Sequence, residues 1–324
     1  MTPINTLTRA MIPLFLSACT ITAHPINAEN TPELALSGTH HTVTVKCEHD
    51  PLALSRMLDY LHALSFDMTV EFSGQCMGPI LIERDGITLT GLDQQTASVK
   101  LSDSDEQQSA IRIKSAVSTL SNFAIDTPEN ALSLHVDANA TVTIDGLKTP
   151  HIFDPKAPFY PFLADENSTL YVKNHKRLQL KVSGSSAANL MEGNRQVALN
   201  VTDTSMARST SSNQFDDVEV SGNGYFLGDN QSSITLLKIW SKGVAEVNNQ
   251  SSVKEIMMGG QTLFAAYRQS NITGPYRLWG NVVFELEHSS ATGWQPVDKP
   301  NSIISGHNAT VNGVFYPDWD WRGQ

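Results

Sequence analysis

Short runs of alternating apolar and polar residues recur along the chain, and they limit what it can fold into. They are spaced by about ten residues, with no long helical pattern between them. Asn-Gly pairs, typical of two-residue hairpins, are scarce between the early runs, which favours a solenoid over a sandwich or barrel. The runs lie at residues 68–72, 80–83, 87–90, 98–101, 110–114, 122–125, 132–136 and 142–144. They resume at 169–173, 178–182, 197–201, 218–220, 234–240, 244–247, 253–257 and 262–267.

The overall charge restricts the partners. The net charge of −11 and the pI near 5.3 argue against nucleic acid and anionic polymers, because those require a cationic surface. No segment reaches the roughly 20 apolar residues that a membrane span needs. The remaining candidates for a partner are a polysaccharide or a surface protein.

Residues 1–28 read as a secretion signal, with Arg9 before a short apolar stretch. Two cleavage sites remain open. The segment Leu-Ser-Ala-Cys ending at Cys19 resembles a bacterial lipobox, in which Cys19 carries a lipid anchor to the outer membrane. Alternatively, an ordinary signal peptidase cleaves after Ala28. Either alternative predicts an extracytoplasmic protein, which is periplasmic, anchored to the outer membrane, or secreted.

Two cysteines, Cys47 and Cys76, remain once Cys19 is assigned to the signal. In an oxidising compartment such a pair predicts a disulfide. The bond closes a loop of about 30 residues and stabilises the fold by roughly 3 to 4 kcal/mol in the chain-entropy model.

A helix is predicted directly after Cys47. Asp50 is a suitable N-cap, and Pro51 then takes the first helical position. An apolar stripe at helical spacing follows, formed by Leu54, Met57, Leu58, Leu61 and Leu64. Such a helix covers the exposed end of a stack of strands.

The strand before Cys47, the helix, TVEFSGQC (69–76) and ILIERDGITLTGL (80–92) together resemble a known family. They are similar to the N-terminal cap and first coils of secreted bacterial right-handed parallel β-helix proteins of the pectin-lyase-like superfamily. The resemblance covers residues 42–92 well and the later runs only as a rhythm. It implies a fold and a capping disulfide, but no activity, because the superfamily contains lyases, hydrolases, epimerases and adhesins.

We therefore predict an all-β chain, a single-stranded right-handed parallel β-helix with an N-terminal capping helix and an aromatic C-terminal cap. The predicted β-helix domain spans residues 42–324. Within it, residues 42–66 form the N-cap and residues 274–324 the C-terminal cap, which is rich in Trp, Tyr and Phe. Residues 147–167 form a proline-rich loop excursion, and residues 202–216 a second one.

Candidate site residues follow from this division. Phe159, Tyr160 and Phe162 on the proline-rich loop are candidates for packing on sugar rings, unless they fold back onto the coils. Asp216, Asp217 and Glu219 form the best local acidic group, read as a solvated turn. Seven Asn-x-Ser/Thr triplets are interpreted as turn markers, at Asn139, Asn167, Asn200, Asn230, Asn249, Asn271 and Asn308.

Two functions from different classes remain. The favoured one is a non-catalytic extracytoplasmic protein that binds a polysaccharide or a protein. The alternative is a polysaccharide lyase or glycoside hydrolase that acts on an acidic polysaccharide with Asp154, Arg208, Asp216 and Asp217. We predict no cofactor, with Ca²⁺ only under the lyase alternative, and no metal site, because the histidines show no metal-ligand spacing.

Overall fold

The computed structural model describes residues 34–37, 40–102, 108–149, 159–294 and 303–320. The signal segment with Cys19, and Asp154 in the proline-rich loop, lie outside the described residues. The chain is 58% strand and 4% helix and forms a parallel β-solenoid of about 11 turns, which confirms the predicted parallel β-helix. Among the described residues, no helix is long and apolar enough to span a bilayer.

The strands are numbered in chain order. The first ten are β1 (Leu34–Ser37), β2 (His40–Lys46), β3 (Met68–Ser73), β4 (Gln75–Met77), β5 (Ile80–Ile82), β6 (Ile87–Gly91), β7 (Ser98–Lys100), β8 (Ser109–Lys114), β9 (Val117–Ser121) and β10 (Ala124–Asp126). The next ten are β11 (Leu132–Asp137), β12 (Thr141–Asp145), β13 (Phe162–Ala164), β14 (Thr169–Lys173), β15 (Leu178–Val182), β16 (Ala187–Leu190), β17 (Val197–Val201), β18 (Met206–Ser209), β19 (Gln214–Val220) and β20 (Tyr225–Gly228). The last eight are β21 (Ser233–Ser241), β22 (Val244–Val247), β23 (Ser252–Tyr267), β24 (Asn271–Ile272), β25 (Tyr276–Glu287), β26 (Ser290–Ala291), β27 (Ile303–Val311) and β28 (Val314–Asp320).

Each coil adds one strand to each of two parallel stacks. Stack 1 runs through β5, β8, β11, β13, β15, β17, β19 and β21 to the first halves of β23 and β25. Stack 2 runs from β2 through β3, β6, β9, β12, β14, β16, β18, β20 and β22 to the second half of β23. Strands β4, β7 and β10 form a third, short stack.

The core consists of inward-facing columns of apolar side chains. One column of stack 1 runs through Leu134, Phe162, Leu180, Leu199, Val218, Leu237 and Ile256, all buried. Alternation along the strand directs every second residue inward, so each coil contributes to this column. Burial of one such side chain is worth about 1.5–3 kcal/mol, and the stack repeats it in every coil.

The N-terminal end is closed by helix α1 (Ala53–Leu61) and a disulfide. The prediction placed the helix start slightly too early. Asp50 forms a turn, in which its Oδ1 accepts a hydrogen bond from Leu52 N and its carbonyl accepts one from Ala53 N. The helix therefore begins two residues after Pro51, while the predicted apolar stripe faces the core. The predicted bond between Cys47 and Cys76 is confirmed, with Cα atoms 5.1 Å apart.

Three predicted boundaries require correction. Residues 202–216 form no excursion, because β18 and the start of β19 lie within them as regular coil strands. The proline-rich excursion ends before β13, which belongs to stack 1. Coils also continue past Gly274 through β25, and antiparallel β28 pairs with β27 at the C-terminal end.

Candidate functional site

The outer face of stack 1 carries a mostly polar column of residues from successive coils. Following the strand register, this column contains His135, Leu163, Lys181, Asn200, Glu219 and Lys238. A neighbouring column, two residues earlier on each strand, also faces outward but is buried. Its members include Ser133, Gln179, Ala198 and Asp217. Because outward positions of a solenoid normally meet water, other parts of the chain cover this strip.

Asp217 is the charged group beneath this cover. It is 3% exposed, and its Oδ2 accepts a hydrogen bond from Lys238 Nζ at 2.5 Å. Glu219 Oε2 lies 3.9 Å from the same ammonium group. Burial raises the pKa of Asp217, and the hydrogen bond from Lys238 opposes that rise. We therefore describe Asp217, Glu219 and Lys238 as the covered cluster.

Tyr160 is part of the cover. Its half-buried phenol has a raised pKa, because burial and the charges of Glu219 and Asp217 disfavour the phenolate, whereas Asn200 hydrogen-bonds to it and favours that form. The three aromatic residues that were predicted to pack on sugar rings therefore differ in their access to a ligand. Phe159 and Tyr160 remain partly exposed, but Phe162 lies in the core column of stack 1, where a ligand cannot reach its ring.

Among the described members of the predicted catalytic group, Arg208 does not lie with Asp216 and Asp217. Asp216 and Asp217 lie within β19 rather than in a turn, and a bulge against β17 accommodates Asp216 as an extra residue. The interpretation as a solvated acidic turn was wrong, because inward-pointing Phe215 and Val218 draw this segment into the stack. Arg208 lies on stack 2, where its Nη2 is 3.6 Å from Asp229 Oδ2.

A second charged group lies on the same outer face of stack 1, several coils closer to the N-terminus. His135 Nε2 lies 3.0 Å from Asp165 Oδ1 and 3.7 Å from Asp137 Oδ2. Arg112 Nε donates to Asp137 Oδ2 at 2.8 Å. The three residues differ in burial: Asp137 is fully buried, whereas His135 and Asp165 are partly exposed. We describe His135, Asp137 and Asp165 as the open cluster.

A polar groove of about 660 Å³ runs across the coils near the start of the later stack 1 strands. Its walls come from the turns that follow β18, β20, β22, β23 and β25. The lining residues are Ser211, Ser212, Asn230, Gln231, Asn249, Gln250, Arg268, Gln269 and His288. Pairs of residues in these turns have left-handed backbone, with φ of 51° and 64° at Asn230 and Gln231, 49° and 64° at Asn249 and Gln250, and 52° and 65° at Arg268 and Gln269.

We call this polar groove the amide groove, because side-chain amides line much of it. Its glutamines form a ladder from coil to coil. Gln231 Nε2 donates to Gln250 Oε1 at 3.2 Å, and Gln250 Nε2 donates to Gln269 Oε1 at 3.1 Å. Each primary amide has two N–H groups and two acceptor lone pairs. The ladder uses one of each at Gln250, which leaves one donor and one acceptor for a ligand.

The sequence contains a signal for this groove that the sequence analysis missed. Asn-Gln-Ser-Ser occurs at residues 230–233 and again at 249–252, followed by Arg-Gln-Ser at 268–270. The interpretation of Asn230 and Asn249 as turn residues agrees with their left-handed backbone, as it does for Asn139 and Asn167. Asn200, Asn271 and Asn308, however, lie within strands, although Asn308 also has a positive φ.

Trp240 and Trp279 form an aromatic pair at the other end of the stack 1 strands. Their ring centroids are 5.9 Å apart in a stacked arrangement, and Trp279 is 41% exposed. Gly259 lies between them in the register, and a Cβ there would be only 2.8 Å from Trp240 Cζ3. The glycine therefore makes room for the rings to approach each other. Tyr276, Phe284 and Trp294, in contrast, pack together in the last coils.

Comparisons with protein-family models, with curated proteins and with solved structures gave no match for this chain.

Proposed function

We propose that this protein is a non-catalytic extracytoplasmic binding protein that holds an extended, neutral polysaccharide in the amide groove. The observation that carries the proposal is the ladder of Gln231, Gln250 and Gln269, which repeats one amide per coil. Coils of a parallel stack are about 4.8 Å apart, so the groove offers polar groups at regular short intervals. A polymer with regularly spaced hydroxyl groups matches such a surface.

The chemistry of the groove favours sugar hydroxyls over charged groups. A hydroxyl group both donates and accepts, and so does each side-chain amide that the ladder leaves half satisfied. The net charge of −11 disfavours an anionic polymer. The extracytoplasmic location in the proposal is supported by the apolar N-terminal segment and by the disulfide, which is typical of oxidising compartments.

The experiment is a binding screen of the full chain against neutral and acidic polysaccharides, by affinity electrophoresis and then calorimetry. We expect binding of at least one neutral polymer, weakened at least tenfold in Gln250→Ala. Asn223→Ala removes an exposed amide outside the groove and should bind like the wild type. Failure to bind any polysaccharide, or equal binding by Gln250→Ala, would contradict the proposal. A protein partner that binds through Gln250 would replace the polysaccharide with the other class of ligand.

A second candidate function is a polysaccharide lyase or glycoside hydrolase. It is favoured by the raised pKa of Asp217 beside Glu219, because glycosidases combine a protonated carboxyl group with an ionised one. New reducing ends or unsaturated uronates, formed by the wild type and lost in Asp217→Asn, would support this candidate. Glu192→Gln, which changes a carboxylate away from the covered cluster, is the matched control for that measurement.

A further inference from the structure

The open cluster brings together three metal-binding side chains from two successive coils. His135 and Asp137 lie two residues apart on β11, so both face outward. Asp165 follows β13 directly, and its backbone N–H donates to Val136 O at 3.0 Å, which fixes it beside them. One nitrogen and two carboxylate oxygens result, all within 4.8 Å of one another.

The distances in the open cluster are close to those of a metal site. Zinc bonds of about 2.0–2.2 Å in a tetrahedral arrangement place two ligand atoms about 3.3 Å apart. The observed separations from His135 Nε2, 3.0 Å to Asp165 Oδ1 and 3.7 Å to Asp137 Oδ2, lie on either side of that value. The first is a hydrogen bond, which an ion bound between the two groups would replace.

Asp137 provides the independent observation that points to a ligand. Its side chain is 1% exposed, and Arg112 binds only Oδ2. The other oxygen, Oδ1, is buried and has no hydrogen-bond partner among the described residues. A buried carboxylate oxygen without a partner is costly. A cation that Asp137 binds through Oδ1 removes that cost and leaves Oδ2 to Arg112. Arg112 then holds the carboxylate in place, as outer-shell partners do for metal ligands.

We propose that His135, Asp137 and Asp165 bind a divalent transition-metal ion of the Zn²⁺ type. The imidazole ligand favours Zn²⁺ and related ions over Ca²⁺ and Mg²⁺, which prefer oxygen ligands. Three protein ligands leave a fourth position for water or a ligand group. His135 and Asp165 are 19% and 25% exposed, so an ion enters from solvent. This proposal is independent of the amide groove.

The test uses the full chain freed of metal by chelation and dialysis, with Zn²⁺ alone as the probe. Calorimetry should show one Zn²⁺ per chain, and Zn²⁺ should raise the melting temperature, because it binds the folded state. Cobalt substitution adds a spectroscopic readout, since visible absorption reports the coordination of Co²⁺. Wild-type protein that binds no Zn²⁺ would overturn the proposal.

The variants separate this cluster from adventitious sites. His135→Ala and Asp165→Asn should each weaken Zn²⁺ binding at least about 100-fold, more than the loss of an outer-shell partner. His307→Ala is the matched control, because His307 Nδ1 lies 3.0 Å from Asp318 Oδ1 in an exposed pair, and it should bind like the wild type. Circular dichroism checks that the variants fold, and Asp165→Asn changes a partly exposed side chain without loss of volume. Unchanged binding in both cluster variants would overturn the proposal.

Discussion

The covered cluster and the open cluster lie on the same outer face of stack 1 and share one feature. In each, a long basic side chain binds the Oδ2 of a carboxylate that is almost fully buried, Lys238 at Asp217 and Arg112 at Asp137. They differ in the exposure of that basic side chain, which is 21% for Lys238 and 46% for Arg112. Tyr160 interacts electrostatically with Asp217, whereas His135 and Asp165 border Asp137. Similar ion pairs can therefore meet water to different extents on one face of the solenoid.

The largest expected effect on stability comes from removing the ammonium group of Lys238 from the covered cluster. Lys238→Met leaves Asp217 buried without its cation, and we expect the free energy of unfolding to fall by about 3–5 kcal/mol at neutral pH. The loss should shrink at acidic pH, because Asp217 then takes up a proton. Urea denaturation of the single variant and of Asp217→Leu/Lys238→Met checks this, since the double variant should recover most of the loss. A loss below about 1 kcal/mol in the single variant would show that water reaches Asp217.

The next effect concerns a titratable group inside the coils rather than on their outer face. His175 is fully buried, its ring nitrogens have no hydrogen-bond partner among the described residues, and burial lowers its pKa to about 4. The unfolded chain takes up this proton near pH 6.5, and the folded chain only near pH 4. Stability from this group is therefore complete above pH 6.5 and falls by about 3 kcal/mol as the pH drops to 4.

The variant His175→Leu should remove that part of the pH dependence. Thermal or urea unfolding at several values between pH 4 and pH 7 measures it against the wild type. His62→Leu, which changes an exposed histidine, should keep the wild-type dependence. Identical profiles for wild type and His175→Leu would contradict the burial of a neutral imidazole.

Removing Arg112, which binds Asp137, should lower the free energy of unfolding less than removing Lys238, which binds Asp217. In Arg112→Met, Asp137 loses its cation, but Arg112 is 46% exposed and water reaches this pair more easily. We expect a loss of about 1–2 kcal/mol without metal, and a smaller loss with Zn²⁺ present. Arg277→Met is the control, because Arg277 and Glu255 form an exposed pair at 3.5 Å, and its loss should be below about 1 kcal/mol. Equal losses of stability in Arg112→Met and Arg277→Met would show that the Arg112–Asp137 pair behaves like an ordinary surface pair.

The smallest expected effect on stability tests whether Tyr160 shields Asp217 from solvent. Tyr160→Phe keeps the ring and should lower stability by about 0.5–1.5 kcal/mol. In this variant the pKa of Asp217 should stay raised, whereas in Tyr160→Ala it should move toward its ordinary value. Carbon-13 NMR titration of the carboxyl groups measures this, with Tyr171→Ala on stack 2 as the control. An unchanged Asp217 pKa in Tyr160→Ala would show that other residues provide the cover.

Local pattern was sufficient to predict much of the fold. Alternation placed Ile111 and Ile113 inside and Arg112 outside, because side chains of a strand point to opposite faces whatever the fold. The candidate sites were harder to predict. The pairing of His135 with Asp165 spans 30 residues, and across the amide groove the equivalent separation is 19. Because the coils differ in length, no fixed spacing in the sequence predicts which residues meet.

The sequence by itself therefore determined the repeating strand pattern, the helix that closes the N-terminal end and the pairing of Cys47 with Cys76. These depend on alternation, apolar spacing and cysteine number, which are local or countable. Only the tertiary structure decided that Phe162 belongs to the core, that Tyr160 interacts electrostatically with Asp217, and that His135 meets Asp165. Each depends on which residue of one coil stacks on which residue of the next, and that register is set by the packing of the whole coil.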